Sequence, residues 1–189
     1  MRVGVLAVQG GFIEHMRQIE SLGHKAIAVK KECDLENLSG IILPGGESTT
    51  IAKLLKVTGL MEPLKDKIKK GLSTFGTCAG MILLAKEIDN ESSHLALMNI
   101  KIKRNAFGRQ SASFRTFGTI KYIDKSIELV FIRAPYVEEA MGDVEILGEF
   151  EGKIIAVKEG NIIATAFHPE LTKDLRFMEY FIKLCAGTK

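Results

Sequence analysis

The chain has 189 residues, 46% hydrophobic and 26% charged, with a formal net charge of +3. That length suits one globular domain, expected over residues 1–189, with a core that needs neither disulfides nor metals. The small charge excess argues against a dedicated nucleic-acid or membrane binder, and three cysteines (Cys33, Cys78, Cys185) are too few and too odd in number for a disulfide framework, so a reducing cytoplasm is the expected setting.

The N-terminal apolar run, Val3 to Val8, reads as a strand rather than a targeting segment, because a glutamine and two glycines follow at once. No apolar stretch reaches the roughly 18 residues of a membrane span. Phe12, Met16, Ile19 and Leu22 mark one face of a helix that Gly23 closes. Lys25 to Val29 and Ser39 to Leu43 read as strands, the latter ended by Pro44-Gly45-Gly46. Ile51 to Val57 and Leu60 to Lys70 read as helices, Ser73 to Gly76 as a strand, and Ala79 to Lys86 as a helix. Apolar strands alternating with helices predict a parallel sheet covered on both faces, with ligands beyond the carboxyl ends of the strands.

The second half predicts strands over Asn99 to Lys103, Gly118 to Ile123, Leu129 to Ile132, Val144 to Glu149, Ile154 to Lys158 and Ile162 to Ala166. Turns at Glu151-Gly152 and Gly160-Asn161 make hairpins of the last three, and an amphipathic helix near Leu175 to Leu184 closes the chain. The expected fold is therefore α/β: a flavodoxin-like three-layer sandwich, its central sheet mostly parallel, with an antiparallel extension in the second half.

Three segments carry chemistry. Gly76-Thr77-Cys78-Ala79-Gly80 has the form G-x-C-x-G at a strand-to-helix junction, where a sharp turn exposes the sulfur and the following helix N-terminus favours thiolate. A small buried cysteine between two glycines is the plainer alternative. His168-Pro169-Glu170 follows the last strand; the imidazole suits a general base and Glu170 can hold its tautomer. Pro44-Gly45-Gly46-Glu47-Ser48-Thr49 follows another strand. The N–H groups of Gly46 and Ala79 could form an oxyanion hole, while Ser48 or Thr49 could cap the next helix; both roles can coexist.

Oxyanion loop, G-x-C-x-G and then His-Pro-Glu, in that order, make the chain resemble the class I (triad) glutamine amidotransferases along nearly its whole length. Leu6-Ala7-Val8-Gln9-Gly10, Pro44 to Thr50, Arg104-Asn105-Ala106-Phe107-Gly108-Arg109-Gln110, Phe131-Ile132-Arg133-Ala134-Pro135 and Phe167 to Thr172 resemble one branch of that family, the glutaminase subunits of pyridoxal 5′-phosphate synthase. The resemblance implies a Cys78–His168–Glu170 triad that hydrolyses L-glutamine to glutamate and ammonia. It implies glutamine contacts from Gly46, Glu47, Ser48, Arg104, Ile132 and Arg133. It also implies a separate (β/α)₈-barrel synthase as partner, docking near Gln9 and Gly10 and receiving the ammonia. No metal or organic cofactor is expected for this half-reaction.

Cys33, Cys185, His15, His24 and His94 have no comparable setting and are read as structural or solvated. The positive run Lys101, Lys103, Arg104, Arg109 reads as a solvated strand edge with one arginine turned into the site. Three rivals remain open on sequence: a glutaminase serving another synthase, a different elbow-cysteine hydrolase, and a non-enzymatic flavodoxin-like module.

Overall fold

The structure, a computed structural model, describes residues 1–104 and 113–187. Its strands are β1 (Arg2–Leu6), β2 (Lys25–Val29), β3 (Gly40–Leu43), β4 (Ser73–Thr77), β5 (Ala85–Ile88), β6 (Met98–Lys103), β7 (Ser113–Gly118), β8 (Ile127–Ile132), β9 (Tyr136–Ala140), β10 (Glu145–Phe150), β11 (Lys153–Glu159) and β12 (Ile162–Thr165). The helices are α1 (Phe12–Ser21), α2 (Ser48–Val57), α3 (Met61–Lys69), α4 (Ala79–Leu84) and α5 (Arg176–Cys185), with short 3₁₀ turns at Glu32–Leu35 and Pro169–Leu171.

The large sheet runs β2-β1-β3-β4-β12-β11-β9-β6-β5, with β10 on β11 as a branch, while β7 and β8 form a separate ribbon. From β2 to β12 every pairing is parallel. Beyond β12 the sheet turns antiparallel through β11 and β9, and β5 lies parallel to β6 at the far edge. The sequence pattern therefore yields the expected α/β architecture with its antiparallel extension.

Burial explains the parallel half. Every residue of β3, β4 and β12 is buried, the condition of strands covered on both faces. Successive side chains of β4 point to opposite layers. Phe75 meets His15 of α1 and Phe177 and Phe181 of α5, with ring centroids 5.1–5.9 Å apart. A side chain at Gly76 would instead strike Gly80 and Leu84 of α4. Helices α1 and α5 thus share one face and α4 covers the other. The hairpin between β10 and β11 turns at Glu151 (φ 49°) and Gly152 (φ 71°), the two left-handed residues that a tight two-residue turn demands.

Two expectations are corrected, and one strand was not expected. The helix read over Ala79 to Lys86 ends at Leu84, and Ala85–Ile88 is a strand. The run Ala79 to Ala85 is buried throughout, so periodicity carries no boundary there. The strand read over Gly118 to Ile123 lies earlier, at Ser113–Gly118. The following loop takes left-handed backbone at Tyr122 and Lys125, and Arg176 ties it down by hydrogen bonds to the carbonyls of Asp124 and Ser126. Tyr136–Ala140, strongly acidic and just after Pro135, is a strand that no apolar alternation announced.

Candidate active site

Strands β1, β3, β4 and β12 are parallel neighbours, so the loops leaving their carboxyl ends stand side by side. Those loops carry Gln9-Gly10, Gly45 to Glu47, Cys78 and His168 to Glu170.

Cys78 occupies the elbow itself. Its backbone sits at φ 49°, ψ −98°, outside the regions open to ordinary L-residues. It is held there from two sides: its N–H donates to the Thr165 carbonyl of β12 (2.7 Å), and its own carbonyl accepts from the Ile82 N–H of α4 (3.2 Å). A Cβ at Gly80 would lie 2.0 Å from the Leu43 carbonyl oxygen, so only glycine lets α4 start this close to the end of β3. The sulfur is 4.0 Å from the Ile132 carbonyl oxygen, and Cys78 is 8% exposed, reachable but largely sheltered.

His168 stands next to Cys78 in the cavity wall, close enough for the two to interact electrostatically, and through Nδ1 it is hydrogen-bonded to Glu170 Oε1 at 2.7 Å. Its backbone N–H donates to the Val130 carbonyl (2.8 Å), which ties the loop to β8. Gly45 packs directly on the imidazole; a Cβ there would come within 2.4 Å of His168 Cε1. Burial works against a charged His168, but its interactions with Cys78 and Glu170 outweigh it and raise its pKa to about 10. Burial likewise opposes an ionised Glu170, yet the facing imidazoles of His15 and His168 bring its pKa below the usual carboxylate value.

These groups open onto a cavity of about 520 Å³, lined by Gln9, Gly46, Glu47, Ser48, Cys78, Ala79, Ile82, Arg104, Ile132, Arg133, Pro135 and His168. That is ample for a small polar substrate. Every residue carried forward from the sequence as an oxyanion or substrate contact is in this wall. Glu170 lies behind His168, and Gly10 packs against Gly45 outside the cavity. Gln9, expected at a partner surface, also lines the cavity, where its side-chain oxygen accepts the Glu47 N–H (3.0 Å). Ile82 and Pro135 belong to the wall too; Pro135 carries no sequence signal beyond its place in the Phe131 to Pro135 segment, and Ile82 lies in none of the motifs.

One detail differs from expectation. The cap of α2 is Glu47, not Ser48 or Thr49: its carboxylate accepts from the Thr49 and Thr50 N–H groups (3.1 and 2.7 Å) and from both threonine hydroxyls. Those hydroxyl and backbone bonds lower its pKa to about 2. The Ser48 hydroxyl, freed of capping, is buried with no partner among the described residues. Arg104 pairs with Glu91 and lies 3.5 Å from Glu47, whereas Lys101 and Lys103 turn outward to Glu138 and Glu139. Arg109 and the rest of the Asn105 to Gln110 segment lie outside the described residues. Among the described residues no cluster of His, Cys, Asp and Glu could hold a metal ion, and no helix is long and apolar enough to cross a membrane. Cys33 is exposed in a 3₁₀ turn; Cys185 packs partly into the core, where burial pushes its thiol up to about 12.

Comparison with known proteins agrees with this geometry. A chain from Clostridium beijerinckii named "Pyridoxal 5'-phosphate synthase subunit PdxT" is 58% identical over 97% of both chains. One of the same name from Corynebacterium jeikeium is 50% identical over 97% of this chain and 96% of its own. A solved structure described as a glutamine amidotransferase is 42% identical and superposes with a TM-score of 0.93, covering 97% of this chain and 98% of that one. The family model for SNO glutamine amidotransferases matches residues 5–187, and the chain belongs to that family.

Proposed function

We propose that this chain is the glutaminase subunit of a glutamine-dependent pyridoxal 5′-phosphate synthase, with Cys78 as nucleophile, His168 as acid and base, and Glu170 as the residue that orients His168. The observation that supports this most is the placing of Cys78 and His168 in one wall of a cavity roomy enough for glutamine, with Glu170 behind His168 on a 2.7 Å Nδ1–Oε1 bond. The relatives named as synthase subunits support the pathway. The family match over residues 5–187 supports one catalytic domain.

The chemistry follows from the charges. The Cys78 sulfur attacks the side-chain amide carbon of glutamine, and the carbonyl oxygen becomes an oxyanion that the N–H groups of Gly46 and Ala79 receive. His168, held protonated by its two partners, gives its proton to the amide nitrogen as the C–N bond breaks, and ammonia leaves. His168, now neutral, takes a proton from water. The resulting hydroxide attacks the γ-glutamyl thioester, and glutamate departs as the sulfur is released.

Arg104 and Arg133 suit the substrate α-carboxylate, and the unpartnered Ser48 hydroxyl offers a buried polar contact. Glu47 already spends its carboxylate on the α2 cap and on Arg104. Its contribution to glutamine is therefore a shared one, made while it anchors the loop. Gln9, which bonds Glu47 N–H at the mouth of the cavity, and Gly10, packed on Gly45, are the proposed contact with a (β/α)₈-barrel synthase. A partner pressing there would act directly on the oxyanion loop.

The test is ammonia release from glutamine with and without the synthase barrel. Turnover that rises on adding the barrel and disappears in Cys78→Ala is expected. Cys78-dependent turnover indifferent to the barrel would remove the pathway assignment. Turnover that survives Cys78→Ala would remove the triad.

A further inference from the structure

The inner face of α1 holds two buried polar side chains that the mechanism above does not use. His15 is fully buried. Its Nε2 lies 3.2 Å from Thr77 Oγ1, one residue before the nucleophile, and 3.6 Å from Glu170 Oε1. Gln18, three residues on and so on the same helix face, donates to the carbonyls of Pro169 (3.0 Å) and Thr172 (3.3 Å). Helix α1 thereby grips the segment that carries His168 and Glu170.

The proton on His15 is placed by its surroundings. Nδ1 is buried with no partner among the described residues. A proton on Nδ1 would strand a buried donor and turn the Nε2 lone pair toward a carboxylate. A proton on Nε2 donates to Thr77 Oγ1 and sets the positive end of the N–H dipole toward Glu170 Oε1, the same oxygen that accepts from His168 Nδ1. The titratable groups facing Glu170 are His15 from α1 and His168 from its own loop; those acting on His15 are Glu170, His168 and, on its own helix, Glu14. Burial keeps the His15 pKa below its ordinary value, so it offers a dipole and does not compete with His168 for a proton.

We infer that His15 is a positioning residue of the triad: hydrogen-bonded to Thr77 and facing Glu170 at 3.6 Å, it holds the Glu170 carboxylate ionised and aimed at His168. This rests on the triad proposed above. His15 does not line the cavity, so it touches neither glutamine nor the sulfur.

The test measures kcat, KM for glutamine and the pH profile in the complex with the synthase barrel, alongside thermal unfolding. His15→Phe keeps a ring and removes the donor. It is expected to lower kcat by about tenfold to a hundredfold, the range set by losing a hydrogen-bonding group beside a charge. KM should stay within about twofold, and the acid limb of the profile should move to higher pH as Glu170 becomes easier to protonate. His15→Gln, whose amide nitrogen reaches the place of Nε2, should recover part of kcat and return the limb toward wild type. A folded His15→Phe with unchanged kcat and an unmoved limb would leave His15 as packing only. If His15→Phe does not fold, Thr77→Val, which removes the oxygen that orients the ring, decides: a shifted acid limb supports the inference and an unshifted one overturns it. Cys78→Ala separates the two levels. Turnover surviving in it overturns the triad itself, whereas its loss combined with indifferent His15 variants overturns the positioning role alone.

Discussion

At the scale of the residue, the site carries positive-φ backbone at two non-glycine residues, Cys78 and Arg133. A non-glycine residue held at φ 49° and ψ −98° stores about 1–3 kcal/mol of backbone strain. The hydrogen bonds from its N–H and to its carbonyl are what hold the turn against that strain. His168 shows the electrostatic counterpart. Its folded-state pKa of about 10 stands above the ordinary 6.5, so its interactions contribute stability that is fully present below pH 6.5 and is lost as pH rises through 10. The imidazole is therefore expected to titrate near pH 10 by NMR, and Cys78→Ala, which removes one of the two groups that raise it, should bring that value down. A His168 titrating near 6.5 in the unaltered protein would remove the protonated acid from the mechanism. Cys78, His168 and Glu170 could be singled out in the sequence as the proposed triad because an elbow and a His-Pro-Glu tripeptide are local patterns. His15 was not: its meaning comes from Thr77 and Glu170, 62 and 155 positions away.

At the scale of the element, α2 shows one side chain serving two ends. Glu47 caps the helix with four acceptor contacts and at the same time stands in the cavity wall beside Arg104. Its pKa near 2 lies below the ordinary carboxylate value, so the cap contributes stability that is present above pH 4.5 and is lost as pH falls toward 2. Glu47→Ala is expected to destabilise the protein by about 1 kcal/mol, the usual cost of an emptied N-cap. It should also weaken glutamine turnover, because the loop that carries Gly46 loses its anchor. Urea unfolding at pH 7 and at pH 3 checks the first part: the difference between variant and wild type should shrink at the lower pH. Element boundaries were read to within a residue or two at Gly23 and Pro44, where glycine and proline mark them, but α2 starts at Ser48, three residues before the reading at Ile51. They failed at Leu84–Ala85, where an apolar run enters β5 without polar punctuation, and at Tyr136–Ala140, where acidic residues form a strand because β6 supplies Lys101 and Lys103 to pair with Glu138 and Glu139.

At the scale of the whole molecule, the parallel half sets the frame for catalysis. The strands whose loops build the site, β1, β3, β4 and β12, are adjacent and almost wholly buried. Their backbone hydrogen bonds should open only with global unfolding, whereas the two-stranded ribbon of β7 and β8, with β7 half exposed, should open locally. Amide hydrogen exchange is expected to be slowest in Ile41–Leu43, Thr74–Thr77 and Ile163–Thr165 and faster in Phe114–Gly118. The reverse order would mean that the ribbon, rather than the parallel sheet, is the stable frame of the site.

By itself the sequence determined the alternation of strand and helix from β1 to β4, the elbow segment around Cys78 and the His168-Pro169-Glu170 tripeptide, because each depends on residues close together in the chain. Only the tertiary structure decided that β12 lies beside β4. That one parallel pairing brings His168 against Cys78 across 90 residues of chain. It likewise decided that Glu47 caps α2 and that His15 is buried against Glu170 rather than exposed to water. The physical reason is the same in each case. Burial and partner identity are properties of the folded neighbourhood, and a histidine or glutamate acquires its protonation state from those neighbours and not from the residues beside it in sequence.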